Sequence, residues 1–259
     1  MIDIQITDYS VIIAFWLVFT RVSTIVLLYP IFDNAVIPNV LKVLVSLFIS
    51  YIFFPFVQVE VLKDIQYIGV ENFWILTMFN VIVGLVIGFL VQVLMNLYVG
   101  AGGLISQQVG FAALTYFDPS AGSQVGPFEK LMQWTMVILI LSSGALIPMF
   151  KGCFESFANI HIYDYSALQG ITDFYLEMFN SIFLSSIMLA SPLIFTNLII
   201  TAIMGVVART VPQMNVLMVS FVINIGVGLL VFLSINLEFF SVGYKMYVEL
   251  LGKWFQFIS

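Results

Sequence analysis

MFNSIFLSSIMLASPLIFTNLIITAIMGVVA, residues Met178–Ala208, is a run of 31 residues without a charged side chain. As α-helix at 1.5 Å per residue it would extend about 46 Å, well past the roughly 30 Å of a bilayer's hydrocarbon core. It shows no alternation of polar and apolar positions, so it reads as helix and not as barrel strand. Ala190-Ser191-Pro192 interrupts it. Proline removes a backbone donor and crowds the preceding turn, which predicts a kink or break there. Lipid offers nothing to the freed backbone groups, so a break at that depth implies neighbouring helices or a water-lined cavity. The plainer alternative is one tilted, proline-kinked helix.

Working outward, the same composition recurs. Tyr9–Phe32 carries only Arg21 as a formal charge, and Val43–Val59, Asn72–Phe117, Leu131–Phe150 and Thr210–Leu237 carry none. Six hydrophobic helical segments follow, an all-α membrane protein. The chain as a whole is 62% hydrophobic and 8% charged, against about 25% charged for an ordinary soluble domain. No water-facing surface can be built from that inventory. The first eight residues hold Asp3 and Asp8 and no base, the reverse of a signal peptide's n-region, so the first run is expected to be retained. Lys42, Lys130 and Arg209 fall on one side of a six-helix arrangement and Lys63, Lys151, Lys245 and Lys253 on the other, so the positive-inside rule sets no orientation.

Asn72–Phe117 divides in two. Through about Tyr98 it reads as helix, with Gly84 and Gly88 in the small-xxx-small spacing that lets another backbone approach closely. Gln92 and Asn96 lie four apart, on a face expected to meet protein. From Gly100 to Gly122 the sequence is glycine-rich and polar, and a re-entrant or pore-lining loop suits it better than a lipid-facing helix; a flexible surface loop is the alternative. Arg21, near the middle of the first run, calls for a partner. A carboxylate of another subunit and the backbone carbonyls of a broken helix are candidates, and snorkelling to the interface is the plainer reading. Arg209 sits in a tight helical hairpin.

Several chemistries lack their residues. His161 is the single histidine and Cys153 the single cysteine, so a two-histidine zinc helix, a multi-cysteine metal site and an internal disulfide are excluded. His161 lies in a polar interval without a nucleophile motif beside it and reads as solvated. No phosphate-cradling glycine loop is followed by a lysine. We expect no enzyme, no cofactor and no nucleic-acid partner. A small-solute secondary transporter is the stronger rival, since broken helices and polar groups such as Asn197, Thr201, Asn224 and Asn236 build transporter sites. The same amides serve helix contacts equally well.

Three blocks of sequence carry a specific likeness. Phe15 to Arg21 with Pro30, Ile31, Phe32, Pro38 and Lys42; Gly102, Ile105, Gln108, Gly110, Phe111, Asp118 and Pro119; and Ala190, Pro192, Gly205, Arg209, Pro212, Gln213 and Asn215 together resemble the FliR family of flagellar and type III secretion export-gate subunits. Asn80 departs from a glutamate common in that family and Cys153 from a histidine. Glu238–Ser259 matches little and is expected to form a short amphipathic helix.

The resemblance implies a subunit of an export gate in the bacterial inner membrane, at the flagellar basal body, forming a channel for unfolded secreted proteins. FliP-like, FliQ-like and FlhB-like chains would be its partners. Its own chain would combine a FliP-like part, residues 1–170, with a FliQ-like helical hairpin, residues 171–259. Residues 100–122, Gly103 among them, would be the plug that closes the pore. Arg21, Pro192, Gly205, Arg209, Pro212, Gln213 and Asn215 would serve assembly, with Pro212 opening the last helix.

Overall fold

A computed structural model describes residues 9–32, 37–111, 126–164 and 170–258, and these are helical almost throughout. The helices are α1 (Tyr9–Leu28), α2 (Asn39–Ile68), α3 (Phe73–Val109), α4 (Pro127–Ser143), α5 (Leu146–Asn159), α6 (Ile171–Thr210) and α7 (Val216–Ile258). Short 3-10 turns at Pro30–Phe32 and Val70–Asn72 join some of them. Five helices among the described residues are long and apolar enough to cross a membrane, and α4 with α5 form a bent pair that makes a sixth. Helix is what an apolar environment demands, because every backbone group must be satisfied within its own segment. Hydroxyls inside these helices follow the same rule. Ser46, Ser50, Thr77, Thr135 and Ser234 each donate to the carbonyl four residues back.

The structure corrects three expectations and decides a fourth between its two readings. Helix α3 does not end near Tyr98 but continues to Val109, so Gly100–Val109 is helix and not loop; its glycines are tolerated because Gly100 packs on Ser186 and Gly102 on Met132. The run Leu131–Phe150 is not one helix. It breaks at Gly144, whose φ of 75° only glycine adopts readily. By contrast α6 stays helical through Pro192. The carbonyl that Pro192 leaves without a donor, that of Met188, accepts instead from Ser191 Oγ at 2.7 Å, so the break is healed by a neighbouring hydroxyl. Finally, Glu238–Ile258 is not a separate short helix but the second half of the 43-residue α7.

The chain forms two compact units, each assembled from separated stretches: residues 1–93, 144–177 and 251–259 in the first, 94–143 and 178–250 in the second. In the first unit α3 crosses α1 at its glycines. A Cβ on Gly84 would fall 1.9 Å from Thr24 Oγ1 and 2.7 Å from the Arg21 carbonyl, and one on Gly88 3.0 Å from Leu28 Cβ. Leu17, Val18, Val22 and Ile25 of α1 are buried in this unit. The C-terminal end of α7 belongs to the same unit: Trp254, fully buried, lies against Gly152 of α5, and Asn159 Nδ2 donates to the Ile258 carbonyl at 2.9 Å.

In the second unit the end of α3 packs among α4, α6 and α7. Ser186 Oγ donates to the Leu97 carbonyl at 2.9 Å, Tyr98 stacks on Phe240, and Gly228 accommodates Val109. A cavity of about 260 Å³ lies between α6 and α7, lined by Met188, Leu189 and Pro192 on one side and Ile235, Glu238, Phe239 and Val242 on the other.

Candidate functional site

Two polar centres stand out, one in each unit. In the first, Arg21 is 1% exposed at mid-helix. Its Nε donates to Asn80 Oδ1 at 2.9 Å and its Nη1 to the Ser156 carbonyl at 2.8 Å. The guanidinium also lies over the Phe157 ring, 4.2 Å from the centroid. The partners in contact are therefore neutral: an amide, a carbonyl in the last turn of α5, where the helix dipole is negative, and an aromatic face. Of the sequence candidates, a carbonyl of the broken helix is what Arg21 uses, and it does not snorkel. Asn80 fixes its own orientation by donating from Nδ2 to the Leu76 carbonyl at 2.9 Å.

Close by in the same unit, His161 is buried and not solvated. Its Nδ1 lies 3.2 Å from Asp64 Oδ1, its Nε2 2.9 Å from the Ala158 carbonyl, and its ring stacks on Tyr163. Sequence reasoning missed this pair because Asp64 lies 97 residues away. Between α2 and α5 opens a cavity of about 860 Å³ lined by aromatic side chains including Phe53, Phe56, Phe150 and Phe154, with Glu60, Lys151 and Glu155 at its edge. Among the described residues no group of His, Cys, Asp or Glu is placed to hold a metal ion.

The second centre is the end of α3, where the expected plug residues fall. Gly102 packs on the first two turns of α4, where a Cβ would meet Met132 Cγ at 3.1 Å and Glu129 Cα at 3.3 Å. Ile105 is fully buried. Gln108 Oε1 accepts a short hydrogen bond from Asn197 Nδ2 of α6. Gly110 ends the helix with φ 98°, against Phe221. Phe111 stacks on Phe128 at 5.7 Å, and Phe128 meets Phe232 edge-on. The end of α3 and the start of α4 are thus drawn together by an aromatic stack. Asp118 and Pro119 lie outside the described residues.

The carboxy-terminal block is not gathered at either centre. Gly205, Arg209, Pro212, Gln213 and Asn215 are all exposed at and beyond the end of α6. Pro212 does not open the last helix. It sits in the connecting turn, and Asn215 takes the capping place, its Oδ1 accepting from the Met218 N–H at 3.4 Å. Gln92 and Asn96 likewise find no hydrogen bond among the described residues and face outward.

Long apolar helices, a buried arginine held by neutral groups and a glycine-bounded polar segment define a polytopic helical membrane protein. The model of the bacterial export proteins, family 1, matches residues 12–249, and the chain belongs to that family. It is 25% identical over 231 residues to the flagellar biosynthetic protein FliR of Aquifex aeolicus, covering 88% of this chain and 87% of that one. To FliR of Bacillus subtilis it is 27% identical, covering 83% of each. The Yop proteins translocation protein T of Yersinia pestis matches at 23% over 72% of this chain and 69% of its own length. The chain is thus a membrane-embedded FliR-family export protein of the flagellar and type III kind, a non-enzymatic transport component. Membership sets aside the small-solute transporter.

Proposed function

We propose that this chain is the FliR-like subunit of a flagellar export gate in the bacterial inner membrane, forming with FliP-like and FliQ-like chains, beside an FlhB-like one, the channel for unfolded flagellar proteins. The family match across residues 12–249 carries this reading. Large exposed apolar side chains on α2, α6 and α7, among them Phe48, Phe56, Phe195 and Leu237, are surface that sister subunits and lipid share. Residues 1–170 correspond to the FliP-like part and 171–259 to the FliQ-like hairpin, a division by kinship with the sister chains and not by compactness.

Residues 100–122 are the plug that closes the pore, and its first part, Gly100–Val109, continues α3 as helix. The helical stem of the plug ends at Gly110 and Phe111. Arg209, Gln213 and Asn215, exposed together, serve assembly. Capture of the tagged chain in mild detergent tests the reading: FliP-like and FliQ-like chains come down with it, and deletion of its gene abolishes flagellar secretion. Recovery of the chain alone from cells that secrete normally without it would sink the proposal.

A further inference from the structure

The cavity between α2 and α5 has a polar end and an apolar end. Phe53 of α2 stacks on Phe154 of α5, and further along Asp64 meets His161, so the two helices run side by side in the same direction. At one end the walls are Ile49, Leu146 and Ile147, and at the other Glu60, Glu155 and Ala158. Glu60 is also the first charge after the uncharged run Val43–Val59, which sets that end at the membrane interface and the rest within hydrocarbon. From Ile49 to Glu60 is about 16 Å of helix, the depth of one leaflet of a core about 30 Å thick.

The polar end is balanced in charge and short of one donor. Glu60 holds Lys63 at 2.7 Å, and Glu155 Oε1 lies 3.4 Å from Lys151 Nζ. Lys151 in turn lies over the Phe255 ring, 5.2 Å from its centroid. Glu155 Oε2 is buried without a hydrogen-bond partner among the described residues, although the side chain as a whole is 31% exposed. A buried acceptor left without a donor is unfavourable, and a small rotation brings this one to a donor in the cavity.

We propose that this cavity binds one phospholipid with an ethanolamine head, an acyl chain lying along Phe53 and Phe154 and the head at Glu155 and Lys151. The ammonium donates to Glu155 Oε2, and the phosphate accepts from Lys151. Each alternative fails one of these demands. A choline head has no N–H to give, and an anionic head adds a charge that the already paired rim leaves uncompensated. A partner helix is the wrong size: about 10–12 Å across, 16 Å of it takes up on the order of 1,500 Å³, against about 860 Å³ here. The site depends on membrane residence alone and not on the channel.

The test uses the full chain, in its assembled complex, purified in mild detergent, with three phospholipid probes that share one photoreactive acyl chain and carry ethanolamine, choline or glycerol heads. The ethanolamine probe is expected to label residues 49–60 and 146–158 about tenfold more than the other two, the worth of one hydrogen bond to a charged group. Glu155→Gln, which keeps the shape and loses the charge, lowers its labelling to theirs. Ala158→Phe, which fills the cavity from an exposed position, abolishes labelling by all three. Should either variant fail to assemble, the ranking of the three probes on the natural chain decides. Equal labelling by the three heads would overturn the proposal. No labelling of these segments would overturn it as well, and a photo-crosslinking residue at Ile147 that joined a sister subunit would then identify the cavity as a protein interface.

Discussion

Arg21 and Asn80, 59 residues apart, are joined by a hydrogen bond of 2.9 Å from a buried guanidinium Nε to an amide oxygen. A charge in this position is held by neutral groups only if each is aimed, and Asn80 is aimed by its own bond to Leu76. Asn80→Ala removes a hydrogen bond to a charged group, a loss of about 1.5–3 kcal/mol. Arg21→Lys fares no better, because a single ammonium cannot span Asn80 and the Ser156 carbonyl while lying flat on Phe157. Asn80→Glu, which restores the residue common in the family it resembles, keeps an acceptor in place and supplies a countercharge. Thermal unfolding of the purified gate checks the order: Asn80→Glu at or above the natural chain, Asn80→Ala below it, and Arg21→Lys lowest or unassembled.

The α1–α3 crossing depends on two glycines unequally. At Gly84 a methyl group would fall 1.9 Å from Thr24 Oγ1 and 2.7 Å from the Arg21 carbonyl, whereas at Gly88 it meets the Leu28 side chain and the Ile25 Cα at 3.0–3.2 Å, tight contacts that a small shift relieves. Overpacking of a rigid seam costs about 1–3 kcal/mol. Gly84→Ala is therefore expected to reduce the yield of folded chain in the membrane far more than Gly88→Ala. Thr24→Ala relieves only part of the first defect, because the Arg21 carbonyl remains in the way. Equal yields for the two glycine variants would show that the helices separate freely.

Much of this architecture is legible in the order of the residues, and the exceptions have physical causes. Uncharged runs locate the helices because hydrophobic length is a one-dimensional property, and Gly84 and Gly88 announce a close crossing by spacing alone. The end of α3 escapes such a reading because glycine's local preference against helix is overridden by packing on Met132 and Ser186, which no local pattern can weigh. Pro192 misleads in the same way: the hydroxyl that heals the break is its immediate neighbour, but whether Ser191 turns back to Met188 is a matter of rotamer. Asp64 beside His161 and Asn197 beside Gln108 join positions about 90 or more residues apart, and one sequence holds no trace of such pairings. The second centre is legible in its glycines and amides, though not in where the helix ends.

The Gln108–Asn197 bond fastens the stem of the plug to α6, and Asn197 Oδ1 is buried without a hydrogen-bond partner among the described residues. Interhelical amide bonds in membranes are worth about 0.6–2 kcal/mol, enough to bias a gate and weak enough to release. Asn197→Leu, which removes both the bond and the orphaned acceptor, is expected to leave the gate assembled but leaky to ions. Exchanging the two residues, Gln108→Asn with Asn197→Gln, preserves the pair and restores tightness. Conductance of cells expressing the assembled variants is the measurement. An assembled Asn197→Leu gate as tight as the natural one would remove this bond from the gating account.

Trp254 reaches α5 from a part of α7 that lies beyond the residues matched by the family, which end at 249. Its indole occupies the room that Gly152 leaves: a Cβ there would approach the ring to 2.6 Å. Phe257 stacks on Phe174 at 4.2 Å, and Asn159 holds the Ile258 carbonyl, so the last two turns of the chain are tied at three points. Removing a fully buried tryptophan costs about 3–5 kcal/mol, most of it borne by this first unit. Trp254→Ala is expected to free the end of α7, seen as rapid proteolytic trimming after residue 250 in the purified gate while α1–α3 stay protected. Gly152→Ala attacks the same contact from the other side and produces the same trimming. Combining it with Trp254→Phe, a smaller ring, recovers part of the protection, a compensation that appears only if these two residues touch.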